Sequence, residues 1–229
     1  MKRVIILVEG DSEIILMNEL VIPFLYQVLY TCGKAEVECS IEVAKITTNK
    51  TLNKKGGNIS YVHLVNEINR FVSQGCTLIT TFFDFFRLPT DFPGYTKAGN
   101  RVDEIEKAVA LDMKSRIPAL PEFLPYIQMH EFEALLFSGI EGFELVLDEE
   151  SQLKKIQEIM DEYDNPEDIN GGTNTAPSKR LTQIYNYDKT ADSELILEML
   201  GLDVIYSKCP RFSNWLDELG NKLTDLSYI

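Results

Sequence analysis

The sequence predicts an α/β domain built on a mainly parallel central sheet with helices on its faces. Two observations carry this reading. Short apolar runs alternate along the chain with longer stretches of helical spacing, an order that implies strand–helix–strand crossovers. The 229 residues are 45% hydrophobic and 25% charged, enough apolar material for one large core without disulfide staples.

The first element is an apolar strand from Arg3 to Val8, followed by Glu9-Gly10-Asp11-Ser12-Glu13 and a helical pattern to about Tyr30. Gly10 suits a tight strand-to-helix turn, and Asp11 or Ser12 is placed to cap the helix. Glu36 to Ile46 alternates, with Val37, Cys39, Ile41 and Val43 on one face, the signature of a second strand. A Lys/Asn/Gly loop covers Thr47 to Asn58, and a helix follows from about Ser60 to Gln74, ended by Gly75.

Cys76 to Phe83 reads as a strand running into Asp84, and the turn-rich Leu88 to Gly94 makes a long loop of the kind that carries function. Asp103 to Ser115 is a further helix, Leu124 to Met129 a short strand, and His130 to Phe137 the opening of another helix. From about Glu149 the chain is helical with polar loops, and Asn165 to Pro177 is expected to be exposed. Residues 1–140 thus form the α/β core, and 141–229 a helical region packed on it rather than an independent domain.

Charge and cysteine usage narrow the classes. Cys32, Cys39, Cys76 and Cys209 form no C-x-x-C pair. They read as reduced thiols of a cytoplasmic protein, and His63 and His130 are too few for a mixed zinc site. The N-terminal apolar run is broken at Glu9, so no targeting segment is expected. Val21 to Tyr30 is about half the length needed to span a bilayer, and no membrane association is expected. The net charge of −14 is uneven: Glu141 to Asn170 holds eleven acids against Lys154 and Lys155, whereas Val43 to Asn58 carries Lys45, Lys50, Lys54 and Lys55 with no acid. A polyanion could meet that basic stretch, so a nucleic-acid partner stays open.

Ligands of open parallel sheets bind beyond the carboxyl ends of the strands. Three apolar runs end there in acids: one at Glu9, one at Asp84, one at His130-Glu131, with Glu133 close by. Brought together, these carboxylates repel unless a cation joins them, and hard oxygen donors suit Mg²⁺ or Mn²⁺. Each has a plainer reading. Glu9 could be a solvated turn residue, Glu131 and Glu133 could serve the dipole of a first helical turn, and His130 could cap that helix. The segment after Val8 lacks both G-x-G-x-x-G and a Walker lysine, so dinucleotide and P-loop readings fail. Ser178-Lys179-Arg180 could contact phosphate or simply begin a helix. Trp215, with Phe212, reads as core.

Val8-Glu9-Gly10-x-Ser12-Glu13 resembles the opening motif of Toprim-like domains, which occur in topoisomerases, primases and overcoming-lysogenization-type nucleases. Nearly the whole chain resembles a bacterial family of unknown function placed in that group, domain of unknown function 4276. The resemblance rests also on Asp84-Phe85-Phe86-x-Leu88-Pro89-x-Asp91-Phe92-Pro93-Gly94, Gln128 to Phe137, Ala176 to Arg180 and Cys209-Pro210-x-Phe212-x-x-Trp215.

It implies a sheet of about four parallel strands, acid/base or metal chemistry at Glu9, and a Mg²⁺ ligand at Asp84. Position 86 is Phe where the Toprim pattern has its second aspartate. The remaining ligands would then come from His130, Glu131 or Glu133. The expected function is a Mg²⁺- or Mn²⁺-dependent nuclease. Glu9, Asp84, His130 and Glu131 would act in catalysis, and Glu9, Asp84, Glu131 and Glu133 on the metal. Lys45, Lys50, Lys54, Lys55, Lys179 and Arg180 would lie on the nucleic acid. By family analogy it would serve phage defence beside an ABC/AAA-type ATPase. A non-catalytic partner of such an ATPase, docking through the acidic 141–168 stretch, and a small-molecule phosphohydrolase are the competing readings.

Overall fold

The computed structural model describes residues 2–34, 39–49, 54–55, 59–96, 99, 101–169, 172 and 174–226. Strand β1 (Lys2–Val8) lies between β2 (Cys39–Lys45) and β5 (Leu78–Asp84), and β5 is followed by β6 (Glu122–Leu124). All of these pairings are parallel. Val4 to Val8 are fully buried, as a central parallel strand covered on both faces requires.

Alternation along the strands sorts the core into two layers. Val4, Ile6, Val8, Leu78 and Phe82 face α1 (Asp11–Leu16), α2 (Ile22–Thr31), α7 (Ala191–Lys208) and α8 (Pro210–Leu226). Ile5, Leu7, Ile79 and Phe83 face α3 (Tyr61–Ser73) and α4 (Val102–Arg116). The expected parallel sheet with helices on both faces is therefore present. Helix α3 begins with a capping box: Ser60 accepts from the His63 N–H, while the His63 ring accepts from the Ser60 N–H.

The C-terminal helices share the core of the sheet. Trp215 is 3% exposed, stacks on Tyr126 at 4.8 Å, and donates its indole N–H to Thr80 Oγ1 at 2.9 Å. It is a core residue, as its sequence context suggests.

Five local expectations need correction. The strand placed at Leu124–Met129 is split into β6 and β7 (Ile127–Gln128), because Pro125 has no N–H for the ladder. Thr81 repairs the gap, its hydroxyl exchanging bonds of 2.9 Å with the Tyr126 N–H and carbonyl. The segment after His130 is a 3₁₀ helix, Phe132–Ser138, not an α-helix. All seven of its residues are buried, so it has no polar face to set beside an apolar stripe.

Third, 165–177 is not simply exposed. Glu167 is 1% exposed, and its carboxylate accepts the N–H groups of Arg211 and Phe212 at the start of α8. Fourth, part of the basic loop is an antiparallel ribbon of β3 (Thr47–Asn49) and β4 (Lys54–Lys55). Fifth, a π-helical turn, Met17–Val21, joins α1 to α2, so the apolar helix runs from Asp11 to Thr31. That makes it long and apolar enough to cross a membrane. In the fold its Leu16, Met17, Val21 and Leu25 are fully buried in the core.

Between α4 and α8 the chain adds α5 (Glu150–Glu162) and α6 (Pro177–Ile184) before α7.

Candidate functional site

The register Val8↔Phe82 brings the ends of β1 and β5 side by side, so Glu9 and Asp84 leave the sheet at the same edge. Both line a cleft of about 540 Å³ with Glu131, Phe86, Arg87 and Pro89. They also line a neighbouring hollow of about 310 Å³, whose far wall holds Glu13 and Lys189. The convergence expected of Glu9, Asp84 and Glu131 is thus seen.

Each carboxylate is held by a different local device. Asp84 Oδ1 accepts the Phe132 N–H at 2.8 Å, which ties the end of β5 to the 3₁₀ helix. Glu131 accepts both the Ser178 N–H (2.9 Å) and the Ser178 hydroxyl (3.0 Å), and so caps α6. Gly10 is needed for space rather than for dihedral freedom. Its φ is −134°, open to any residue, but a Cβ there would meet Glu13 Oε2 at 2.6 Å. The helix cap expected of Asp11 or Ser12 is not made. Ser12 instead donates to the carbonyl of Lys189 at 3.0 Å.

That bond places the side chain sequence reasoning missed. The Lys189 ammonium lies 3.3 Å from Glu133 and 3.7 Å from Glu13. Glu13 and Glu133 are 3% and 1% exposed. Among the described residues, Glu13 Oε2 and both Glu133 oxygens have no hydrogen-bond partner. Lys189 sits in a polar loop, Tyr185 to Thr190, that carries no motif, so only the folded chain reveals it.

The electrostatics follow from grouping four acids around one cation, Glu13 and Glu133 buried and Glu9 and Asp84 half-buried. Burial, then the charge of Glu13, pushes Glu9 up to about 8, against the Asp84 N–H and Lys189, which pull it down. Asp84 is raised well above the carboxylate range, by burial first and Glu13 next. Glu133 is raised by burial, with Lys189 opposing. Burial works to lower Lys189, but Glu133, Glu13 and Asp84 outweigh it and hold the ammonium charged. For His130, burial lowers the pKa and is opposed by Asp168 and Glu131. Its φ is 60°, and its carbonyl accepts the Phe86 N–H; its ring is not on the cleft wall.

The other expected residues divide. Lys45, at the end of β2, pairs with Asp11 at 2.7 Å on the rim of the smaller hollow. Lys54 and Lys55 form β4, and Lys50 lies outside the described residues. Lys179 is exposed. Arg180 is engaged within the fold, bonding the Thr175 carbonyl and the Tyr163 hydroxyl and lying 3.8 Å from Glu162.

Among the described residues no three His, Cys, Asp or Glu side chains stand ready-made as ligands of one metal ion. The donor chemistry nevertheless fits a hard divalent ion: carboxylate oxygens, some without donors, outnumber the one ammonium beside them.

A family model matches residues 8–220, from the last residue of β1 into α8. The chain belongs to the DUF4276 family. The family carries the description domain of unknown function, and the match takes in Glu9, Glu13, Asp84, Arg87, Glu131, Glu133 and Lys189 alike. No curated protein and no solved structure matches the chain.

Proposed function

We propose that this DUF4276 chain is a divalent-metal-dependent phosphodiesterase acting on nucleic acid at the carboxyl edge of its sheet. The observation that carries the reading is the shared position of Glu9 and Asp84, on the walls of both hollows at the ends of adjacent strands. Their proton affinities are raised first by burial and next by the charge of Glu13, and a bound cation would offset both effects.

Glu9 and Asp84 would hold Mg²⁺ or Mn²⁺, with Glu131 facing the same cleft. Such an ion supplies polarisation of a phosphate and a lowered pKa for attacking water. With the ion held by its neighbours, an ionised Glu9 would be the carboxylate at this edge able to accept a proton from water. Glu133 and Glu13 orient Lys189, whose ammonium offsets charge at the far wall. The resemblance to Toprim-like nucleases supports the same reaction class, and with it a role in phage defence beside an ATPase.

The test is cleavage of DNA and RNA with Mg²⁺ or Mn²⁺ by the wild type, Glu9→Gln and Asp84→Asn. A loss of at least about a hundredfold in both variants is the expected result. Cleavage that survives both removes these residues from the chemistry.

A second reading is favoured by one specific feature: Lys189 already supplies a positive charge at the acidic edge, and Phe86 stands where a second aspartate is wanted. On this view the chain is a non-catalytic subunit of an ATPase, docking through exposed acids such as Glu141, Glu144 and Asp148. Calorimetry that detects no Mn²⁺ binding, with an ATPase co-purifying, would favour it.

A further inference from the structure

Arg87 occupies the unassigned position in Asp84-Phe85-Phe86-x-Leu88, and the fold gives it an unusual setting. Of the seven arginines in the chain, six have a carboxylate within 4 Å. Arg87 has none among the described residues. Its contact is with the ring of Phe86, whose centroid lies 5.1 Å from the guanidinium carbon. It is exposed, and it lines the 540 Å³ cleft with Glu9, Asp84 and Glu131.

The backbone there is also costly. Arg87 has φ 65°, a left-handed conformation that glycine adopts freely and an L side chain does not. The turn is fixed from both sides. Leu88 donates to the Phe85 carbonyl at 3.0 Å, and Phe86 donates to the carbonyl of His130 at 2.6 Å. Two left-handed non-glycine residues, Arg87 and His130, therefore flank one hydrogen bond at the mouth of the cleft. Arg87 is thus an exposed guanidinium, without a carboxylate within 4 Å among the described residues, in a strained turn on the wall of the cleft that Glu9, Asp84 and Glu131 also line.

We propose that Arg87 receives a backbone phosphate of single-stranded nucleic acid, with the adjacent Phe86 ring available to a base. This deepens the phosphodiesterase reading and rests on it for the place of the reacting phosphate. A guanidinium fork is matched to two phosphate oxygens. The Phe86 ring, with Pro89 and Ile59 beside it on the wall, supplies an apolar flank for a flat unstacked base. The cleft has the volume of a small-ligand pocket, which admits an unpaired nucleotide and not a duplex.

The experiment is fluorescence anisotropy with a labelled ten-residue deoxythymidine strand, in EDTA and at low salt, using the full chain. The expected result is binding weakened about tenfold in Arg87→Gln and less in Arg87→Lys. The slope of log K against log salt should fall by about 0.7, one single-strand phosphate contact. Thermal melting of both variants should match the wild type. Equal binding by Arg87→Gln, no binding by the wild type, or tighter binding of a duplex of the same length overturns the proposal.

A parallel Mn²⁺ titration separates it from the catalytic reading. Arg87→Gln should bind Mn²⁺ as the wild type does, whereas Asp84→Asn should not. If the wild type takes up no Mn²⁺ while strand binding still depends on Arg87, the catalytic reading fails and the phosphate contact stands. If Mn²⁺ uptake is normal and strand binding is indifferent to Arg87, the phosphate contact fails and the metal site stands.

Discussion

Lys189 stands 3.3 Å from Glu133, a carboxylate 1% exposed whose oxygens make no hydrogen bond among the described residues. Lys189→Met should therefore destabilise the fold by about 1–3 kcal/mol, less than a fully buried pair would lose because the lysine is 46% exposed. Adding Glu133→Gln to the same chain should recover part of that loss. Urea unfolding of the two single variants and the double variant measures the coupling; strict additivity would show that the two groups do not interact.

Stability should fall as pH rises from about 5 to 8. Glu9 is raised to about 8 in the fold, and Asp84 and Glu133 are raised as well. Below the unfolded carboxylate pKa both states are protonated and the groups contribute nothing to the slope. Above it the unfolded chain gives up protons that the folded chain keeps, so unfolding is favoured until the folded groups also ionise. Each group adds at most about 1.4 kcal/mol per pH unit. Denaturant midpoints at pH 5, 6.5 and 8 should decline in order, and Glu9→Gln should flatten the decline.

Mn²⁺ should raise the melting temperature more at pH 8 than at pH 6, because carboxylates ligate only when ionised. At a hundredfold excess over its dissociation constant the ion adds about 2.7 kcal/mol. A shift of equal size at both pH values would place the binding elsewhere.

Gly10→Ala should displace the Glu13 carboxylate from its place beside Lys189, since the new methyl would lie 2.6 Å from Glu13 Oε2. The obstacle is a side-chain tip, so the cost should stay near about 1 kcal/mol. In a Glu13→Ala background the same change should cost almost nothing. A large penalty in both backgrounds would point to the backbone instead.

Arg87→Gly should stabilise the protein by up to about 1 kcal/mol. Relief of the left-handed strain outweighs glycine's added freedom in the unfolded chain. The same variant should lose strand binding as Arg87→Gln does. A gain in stability accompanied by a loss of binding would mark strain retained for a purpose.

The parts of this architecture that sequence can disclose are those written locally. The run Val4 to Val8 and the run Leu78 to Phe83 each stop at an acid, and parallel pairing puts those stops together. The break between β6 and β7 falls at Pro125, a signal that the single strand expected over Leu124–Met129 passes over. Glu133 is different. Its charge is visible, but its partner comes from a loop without a motif, on the far side of α5 and α6 in the chain. The helical period expected after His130 fails because every side chain there is buried, leaving the pattern no phase. Arg87 is masked by its neighbours: Asp84, Phe85 and Phe86 carry the recognisable pattern, and the left-handed turn that exposes it has no glycine to signal it.

The bond from Ser12 to Lys189 spans 177 positions. Lys189 follows Glu9, Asp84 and Glu133 in the chain, so the counter-charge is synthesised after the acids it meets. A nascent fragment stopping short of Lys189 carries Glu13 and Glu133 without their ammonium partner. Assembly of the acidic edge thus depends on a long-range contact, and a product truncated before Lys189 would have the strands of this molecule without that cation.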